Sequence, residues 1–279
     1  AVVVSGILSA LRVTGSSLGE QTLLFQGAGE AATGIADLTV QAMVATGMNE
    51  EQARGRCWLF DSRGLVVKQR AELAAHKQPY AHEHAPVESL LDAVRALRPT
   101  AIIGVAAVGG AFTEDVVRTM ASLNKRPIVF ALSNPTSKAE CTATQAYRWS
   151  DGRALFACGS PFDPVILDGQ TYVPRQGNNS YIFPGVGLGV IVSGASRVTD
   201  EMFMAAAHTL AEQVTEDDLR QGSLYPPLKN IRNVSAQIAA AVAAVAYRQG
   251  LASGLEPADL LGFVKSRMYE PRYATYVAS

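Results

Sequence analysis

A doubly wound α/β fold is predicted for this 279-residue chain, a mostly parallel sheet with helices on both faces and a helical C-terminal extension. Three observations carry that expectation. Short apolar runs alternate with stretches of helical periodicity, the pattern of a parallel sheet covered by helices. Each run is rich in Val, Ile, Leu or Phe, as strands buried on both faces require. Each run also ends in glycine, small or polar residues, and in open α/β sheets that carboxyl edge is where ligands bind.

Taken in order, Val2–Thr14 reads as a leading helix, so residues 1–18 form an entry segment. The sheet core covers 19–190. Its strands are Leu23–Gln26, Cys57–Phe60, Ala101–Val105, Ile128–Leu132 and Ala154–Cys158, followed respectively by GAGE, DSRG, AAVGG, SNP and GSP. Helices are expected at Ala31–Thr46, Val87–Leu97, Thr113–Leu123 and Ala139–Tyr147, with an added helical turn in Gly47–Arg56. The glycine-rich stretch Gly185–Ala195 reads as packed helix and is too short to span a bilayer. Residues 191–279 form the extension, with helices at Ile191–Val214, broken near Thr199, and at Val234–Gln249. The polar tail after Leu251 is expected to wrap the surface. No repeat or flexible linker interrupts 1–279, which favours one domain.

Composition narrows the function classes. Hydrophobic residues at 48% and charged residues at 18% supply a core and exclude a disordered chain. Lys and Arg number 24 against 25 Asp and Glu, a formal charge of −1. Such a balance gives no general attraction for nucleic acid or an anionic membrane, and directs attention to a small-molecule site. Cys57, Cys141 and Cys158 are odd in number and scattered, making neither a disulfide framework nor a CxxC site, as suits a reducing compartment. The chain opens at Ala1 with neither methionine nor a basic leader, and is expected to be part of something longer.

Gln26-Gly27-Ala28-Gly29-Glu30-Ala31-Ala32 follows a strand and opens a helix, matching G-x-G-x-x-A, the Rossmann-type dinucleotide fingerprint. Gly27 permits the tight turn and Gly29 lets main chain approach a pyrophosphate. Ala32 lets the helix lie close to the strand, and Gly34 extends that small face. The helix start offers free N–H groups and roughly half a positive charge. A merely tight turn is the alternative. Asp61, at the end of the second strand, suits the acidic residue that holds the adenosine ribose, although it lies beyond the usual spacing of about 20 residues. A solvated loop aspartate is the other reading. Ser62, Arg63 and Lys77 would offer a hydroxyl and two cations to a 2′-phosphate. One hydrogen bond to a charged group contributes ~1.5–3 kcal/mol, enough to decide for NADP over NAD.

Further segments extend the pattern: Phe25–Leu38, Leu59–Val67, YAHEHAP at Tyr80–Pro86, ALSNPTSKAEC at Ala131–Cys141, GSPFDPV at Gly159–Val165, GNNSYIFPG at Gly177–Gly185 and LYPPL at Leu224–Leu228. Together with the glycine loop they resemble the cofactor-binding half of malic enzymes, the eukaryotic and plant-type NADP-dependent branch most closely. The resemblance implies oxidative decarboxylation of malate to pyruvate and CO2 with reduction of NADP, NAD being the less favoured cofactor. It implies that the backbone of Gly27, Gly29, Glu30, Ala31 and Ala32 cradles the pyrophosphate, that Asp61 holds the ribose, and that Ser62, Arg63 and Lys77 recognise the 2′-phosphate. Val105 and Ala106 would line the nucleotide cleft. Asn134 and Asn179, with Asn178 beside them, would stand between nicotinamide and malate, where an uncharged amide supplies donors and an acceptor. Read without the resemblance, Asn134 before Pro135 is an Asx-turn or helix cap, and Asn178-Asn179 a polar loop.

Departures from the family pattern matter equally. Members are about twice as long, and their catalytic tyrosine and lysine and acidic metal ligands lie in the half that precedes this sequence. No catalytic residue and no metal ligand is therefore expected here; a divalent metal (Mg or Mn) would be held by that preceding half, which becomes a partner along with malate and pyruvate. His82 and His84 form a weak candidate zinc pair, because residues two apart on a helix do not share a face. Lys138 and Tyr181 are possible proton-transfer groups whose ordinary readings are a helix-start lysine and a core tyrosine. Arg175 stands where relatives carry glycine. A homo-oligomer, a tetramer in the family, is expected, in the cytoplasm or a plastid. The rival readings are a stand-alone, non-catalytic nucleotide-binding module and a malolactic-type relative.

Overall fold

A computed structural model of the chain describes residues 1–270, so the end of the expected extension, 271–279, lies outside the described residues. In chain order the elements are α1 (Val2–Thr14), β1 (Leu23–Gln26), α2 (Glu30–Ala45), α3 (Glu50–Arg54), β2 (Cys57–Asp61), β3 (Gly64–Leu65), α4 (Leu90–Leu97), β4 (Ala101–Gly104), α5 (Glu114–Leu123), β5 (Ile128–Ala131), α6 (Ala143–Trp149) and β6 (Leu155–Cys158). Then come β7 (Val165–Leu167), β8 (Gln170–Tyr172), α7 (Phe183–Ser193), α8 (Asp200–Glu212), α9 (Glu216–Arg220), α10 (Ile231–Arg248) and α11 (Leu260–Arg267).

The main sheet has the order β3-β2-β1-β4-β5-β6, all parallel except the short edge strand β3. The chain moves outward from β1 to β2, then crosses back to place β4 on the other side of β1. The reversal opens a crevice at the carboxyl ends of β1 and β4, where such sheets bind ligands. Alternating strand residues feed two cores. Leu23, Phe25, Ile103 and Phe130 pack with α1, α2, α8 and α10, while Leu24, Ile102, Val129 and Phe156 pack with α4, α5 and α6. Cys57, Cys141 and Cys158 are free thiols within these layers.

All five expected strands are present. Val105 and Leu132 fall just outside the assigned strands but continue the ladder, their N–H groups donating to Gln26 O and Gly104 O at 3.0 Å each. Two expected helices start late, for a common reason. Val87 gives its carbonyl to the Leu65 N–H (2.8 Å), so α4 begins after Ser89, whose hydroxyl caps the Asp92 N–H. Ala139 and Glu140 give their carbonyls to Gly110 and Phe112, so α6 waits for the Thr142–Gln145 capping box. The antiparallel pair β7–β8 was not foreseen.

The extension differs more. The break expected near Thr199 is present, with Thr199 as the N-cap of α8, and the packed helix expected over Gly185–Ala195 is α7; the difference is that α7 starts at Phe183, across the expected border at 190. Gly194, at φ 60°, ends it in a left-handed cap. The tail is also more than a surface wrap, since α11 buries Val264 against Ala236 and Ala239. Helices α7 and α10 pack closely because α7 presents glycine. A Cβ on Gly189 would stand 2.7 Å from Ala239 O and 2.8 Å from Val242 Cβ. Gly189→Val is therefore expected to cost about 1–3 kcal/mol by overpacking. The check is the urea midpoint of the two proteins; an unchanged midpoint would show that the helices can separate freely.

Candidate dinucleotide site

The glycine loop sits at the switch point. Gly27 donates its N–H to Phe60 O (2.7 Å), joining β1 to β2, and adopts φ 135°, a conformation side chains resist. A Cβ there would lie 3.1 Å from Val105 Cγ2 and 3.3 Å from the Ala106 N. Gly27, Val105 and Ala106 thus form the two lips of the crevice. Gly29 caps α2, and nothing stands within 4 Å of where its Cβ would be, so the approach to the helix N-terminus is open. Ala28 and Ala32 are buried against the sheet, whereas Glu30 and Ala31 are exposed at the helix start. Gly34 does not extend the small packing face: it is exposed with open space around it.

Asp61 ends β2 and anchors a cationic cluster. Its Oδ1 accepts from the Arg70 Nη1 (2.8 Å) and the Arg63 N–H (2.9 Å), and its Oδ2 accepts from Lys77 Nζ (2.7 Å). Arg70 also donates to Gly64 O, and Arg63 to Glu72 O. The Asp61 side chain is 12% exposed and that of Lys77 19%. Burial raises the Asp61 pKa, but the bonds from Lys77, the Arg63 N–H and Arg70 outweigh it and hold the carboxyl below its ordinary value. An acid depressed in the folded state stabilises above its unfolded pKa, about 3.9, and that contribution is lost as pH falls through the lower folded value. Asp61→Asn is accordingly expected to flatten the acid limb of stability below about pH 4, measured as denaturation midpoint against pH. An unaltered limb would mean that Asp61 is not the group titrating there.

Oδ2 accepts one bond, from Lys77, and keeps a second acceptor position. Ser62 is exposed next to this cluster. A short 3₁₀ segment, Ala75–Tyr80, carries Lys77 inward and ties the cluster to the glycine loop, since His76 Nε2 lies 3.1 Å from Ala28 O. Arg70 and His76 escaped the sequence reading because neither belongs to the dinucleotide fingerprint.

The asparagines stand on the same edge of the sheet. Asn134 follows β5, is exposed, and its Oδ1 accepts from Ser160 Oγ (2.9 Å) beyond β6. Gly177 donates its N–H to Cys158 O (2.8 Å), laying 175–177 against the end of β6 and presenting Asn178 and Asn179 there. Asn178 Oδ1 accepts from the Ser180 N–H (2.8 Å), and Asn179 opens a 3₁₀ turn whose Tyr181 is buried with its hydroxyl on Pro226 O (2.6 Å). Tyr181 is thus a core residue, its phenol pushed up to about 12 by burial. Arg175 pairs with Asp218 (2.8 Å) and donates to Tyr225 O (2.5 Å), bracing the segment from below.

His82 and His84 lie in a loop, not a helix, both against Trp58, with ring centroids 4.4 and 5.8 Å from its own; His82 Nε2 lies 2.8 Å from Cys57 O. Among the described residues no group of three or more His, Cys, Asp or Glu could hold a metal ion, and no helix is long and apolar enough to cross a membrane. A groove of 1490 Å³ runs elsewhere, between Gly34 and Asp37 on α2 and Asp200 and Met204 on α8. It is lined by the start of α8 but by no glycine turn at a strand end, so chemistry rather than volume selects the switch point.

Comparison with known proteins agrees with this geometry. The family described as malic enzyme, NAD binding domain, matches residues 1–247. An NADP-dependent malic enzyme described as chloroplastic, from Oryza sativa subsp. japonica, is 54% identical over 278 residues, 99% of this chain and 44% of that protein. The NADP-dependent malic enzyme of Anas platyrhynchos is 53% identical over 279 residues, covering 99% and 50%. The chain therefore spans about half the length of these relatives. Among solved structures, the Entamoeba histolytica malic enzyme superimposes with a TM-score of 0.75 at 22% identity, over 95% of this chain and 51% of that one, which shows the fold. That of Pyrococcus horikoshii Ot3 gives 0.69 at 25% identity, over 95% and 56%. With that family matched over residues 1–247 and relatives more than 50% identical along 99% of its length, on a doubly wound parallel sheet, the chain belongs to the malic enzyme NAD-binding domain family.

Proposed function

We propose that this chain supplies the dinucleotide site and part of the malate site of an NADP-dependent malic enzyme, which oxidatively decarboxylates malate to pyruvate and CO2. The observation that carries the reading is the pairing of an open glycine turn with two cations bonded to one carboxylate at the next strand end, and the Arg63 guanidinium two residues from it. NADP, when bound, supplies the hydride acceptor. The chain's residues bind and orient it. The N–H groups of Gly29 to Ala32 and the α2 dipole hold the pyrophosphate, and Asp61 takes a ribose hydroxyl. Lys77, Arg63 and Ser62 meet the 2′-phosphate, the surplus positive charge favouring NADP over NAD. Asn134 and Asn179, with Asn178, position nicotinamide and malate by neutral hydrogen bonds.

The proton-transfer groups and the divalent metal, Mg or Mn, belong in this reading to a preceding half, and the chain alone is inactive. Exposed Phe183 and Ile191, on a helix apolar on every side, support burial of α7 against that half or another copy in a homo-oligomer. Three buried, unpaired thiols support a reducing compartment, the cytoplasm or a plastid. The test has two parts. The chain alone is expected to bind NADP at least about 10-fold more tightly than NAD by calorimetry. Joined to the N-terminal half of a relative such as the Anas platyrhynchos protein, it is expected to release NADPH with malate and a divalent metal. Binding without any restored turnover would favour a non-catalytic module, and turnover without net NADPH a malolactic relative.

A further inference from the structure

We propose that Glu140, acting through Ser133, is a positioning residue that clips the β4 lip of the cofactor crevice to the Asn134 turn. The proposal rests on the dinucleotide reading of the switch point, but its geometry stands independently. Glu140 is fully buried, and both carboxylate oxygens face Ser133: the hydroxyl donates to Oε1 at 2.5 Å and the N–H approaches Oε2 at 3.3 Å. Because the Ser133 proton points to Glu140, its oxygen is left to accept, and the Ala107 N–H donates to it at 2.9 Å. The chain of bonds thus runs from a buried acid, through the residue before Asn134, to the residue after Ala106.

Three further observations show a built arrangement. Ala107 holds φ 55°, a left-handed conformation uncommon for a non-glycine residue and unfavourable for one whose side chain offers no local hydrogen bond. Residues 106–110 are all exposed, and the bond from the Ala107 N–H to buried Ser133 is the side-chain contact that ties this turn down. Gly104, the last residue of β4, has no room for a Cβ, which would collide with the Glu140 carboxyl. Finally, the Glu140 carbonyl accepts from the Phe112 N–H and that of Ala139 from Gly110, both at 3.0 Å, pinning the far end of the same loop. Burial raises the Glu140 pKa, the bonds from Ser133 oppose that rise, and no cation figures among the groups acting on it. One acid therefore sets both the cleft-lining loop and the asparagine turn, which otherwise belong to different strands.

The experiment compares Glu140→Gln, Ser133→Ala and the double variant. Glu140→Gln keeps the volume but turns one acceptor into a donor facing the Ser133 N–H. Hydrogen exchange on the chain without cofactor should show the Ala107 amide losing roughly 10-fold or more of its protection in both single variants, with the β-sheet amides unchanged. NADP affinity should weaken roughly 10- to 150-fold, the range for a lost hydrogen bond to a charged group. The double variant should be no worse than the poorer single one, because both act through one chain of bonds. Ala107 protection equal to wild type would overturn the clip whether or not the chain binds NADP. Lost protection with wild-type NADP affinity would overturn its positioning role. A wild-type chain that fails to bind NADP, with the protection loss intact, would instead count against the dinucleotide reading and thereby against positioning of a cofactor, while an equal fall across all amides would assign Glu140 to general stability.

Discussion

Replacing Lys77 by alanine is expected to raise the Kd for NADP roughly 10- to 150-fold while changing that for NAD by about twofold or less. In the free protein Lys77 is bonded to Asp61 at 2.7 Å, alongside Arg70 at 2.8 Å. The ammonium is therefore already held at the ribose end of the crevice, and little side-chain entropy remains to be lost when a phosphate arrives. Removing it leaves Asp61 with Arg70 as its one remaining side-chain cation partner. The local surplus of positive charge falls to that of Arg63 alone, so a phosphate dianion meets one cation where it had two. NAD presents hydroxyls there and needs only the free acceptor on Asp61. Calorimetric titration with both cofactors checks this; equal weakening for the two would mean that Lys77 holds the fold of the Ala75–Tyr80 segment rather than reading the phosphate.

Gly27→Val is expected to remove measurable dinucleotide binding, a loss of roughly 100-fold or more. Two costs combine. The φ of 135° is a region that a β-branched residue strongly resists, costing about 1–3 kcal/mol. Its Cβ would also sit 3.1–3.3 Å from Val105 and Ala106 atoms, before the two methyls are counted. Those atoms belong to the opposing lip, so relief comes only by widening the crevice. The Gly27 N–H to Phe60 O bond would break with it. Far-UV circular dichroism should stay near wild type, because β1 and α2 keep their own bonds. Retained NADP affinity would place the pyrophosphate somewhere else.

How far this was legible in sequence differs by element. The strands and their order of appearance were plain, because runs such as Ile128–Ala131 are buried on both faces and carry an unmistakable apolar signature. Helix starts at Leu90 and Ala143 were not, because the preceding carbonyls at Val87, Ala139 and Glu140 are used by distant segments that no local pattern reveals. Gly27, Gly29 and Ala32 could be found because close approach of backbone leaves only small residues. Asp61 and Lys77 were found separately, but their pairing, and the part of Arg70 in it, depends on a fold-back of the loop after β3. Glu140 was equally hidden: its carboxylate becomes meaningful only once Ser133 and Gly104 are known to lie beside it.

The thiols described among the core layers make this molecule its own recorder of opening. Burial pushes Cys57 and Cys158 up to about 12, and raises Cys141 as well, so at neutral pH almost no thiolate exists to react. Cys57 begins the strand on one side of β1, whereas Cys158 ends the outermost strand on the other. A maleimide pulse followed by peptide mass mapping would therefore register which flank loosens first under mild denaturant, and cofactor that bridges the middle should slow both alkylations together.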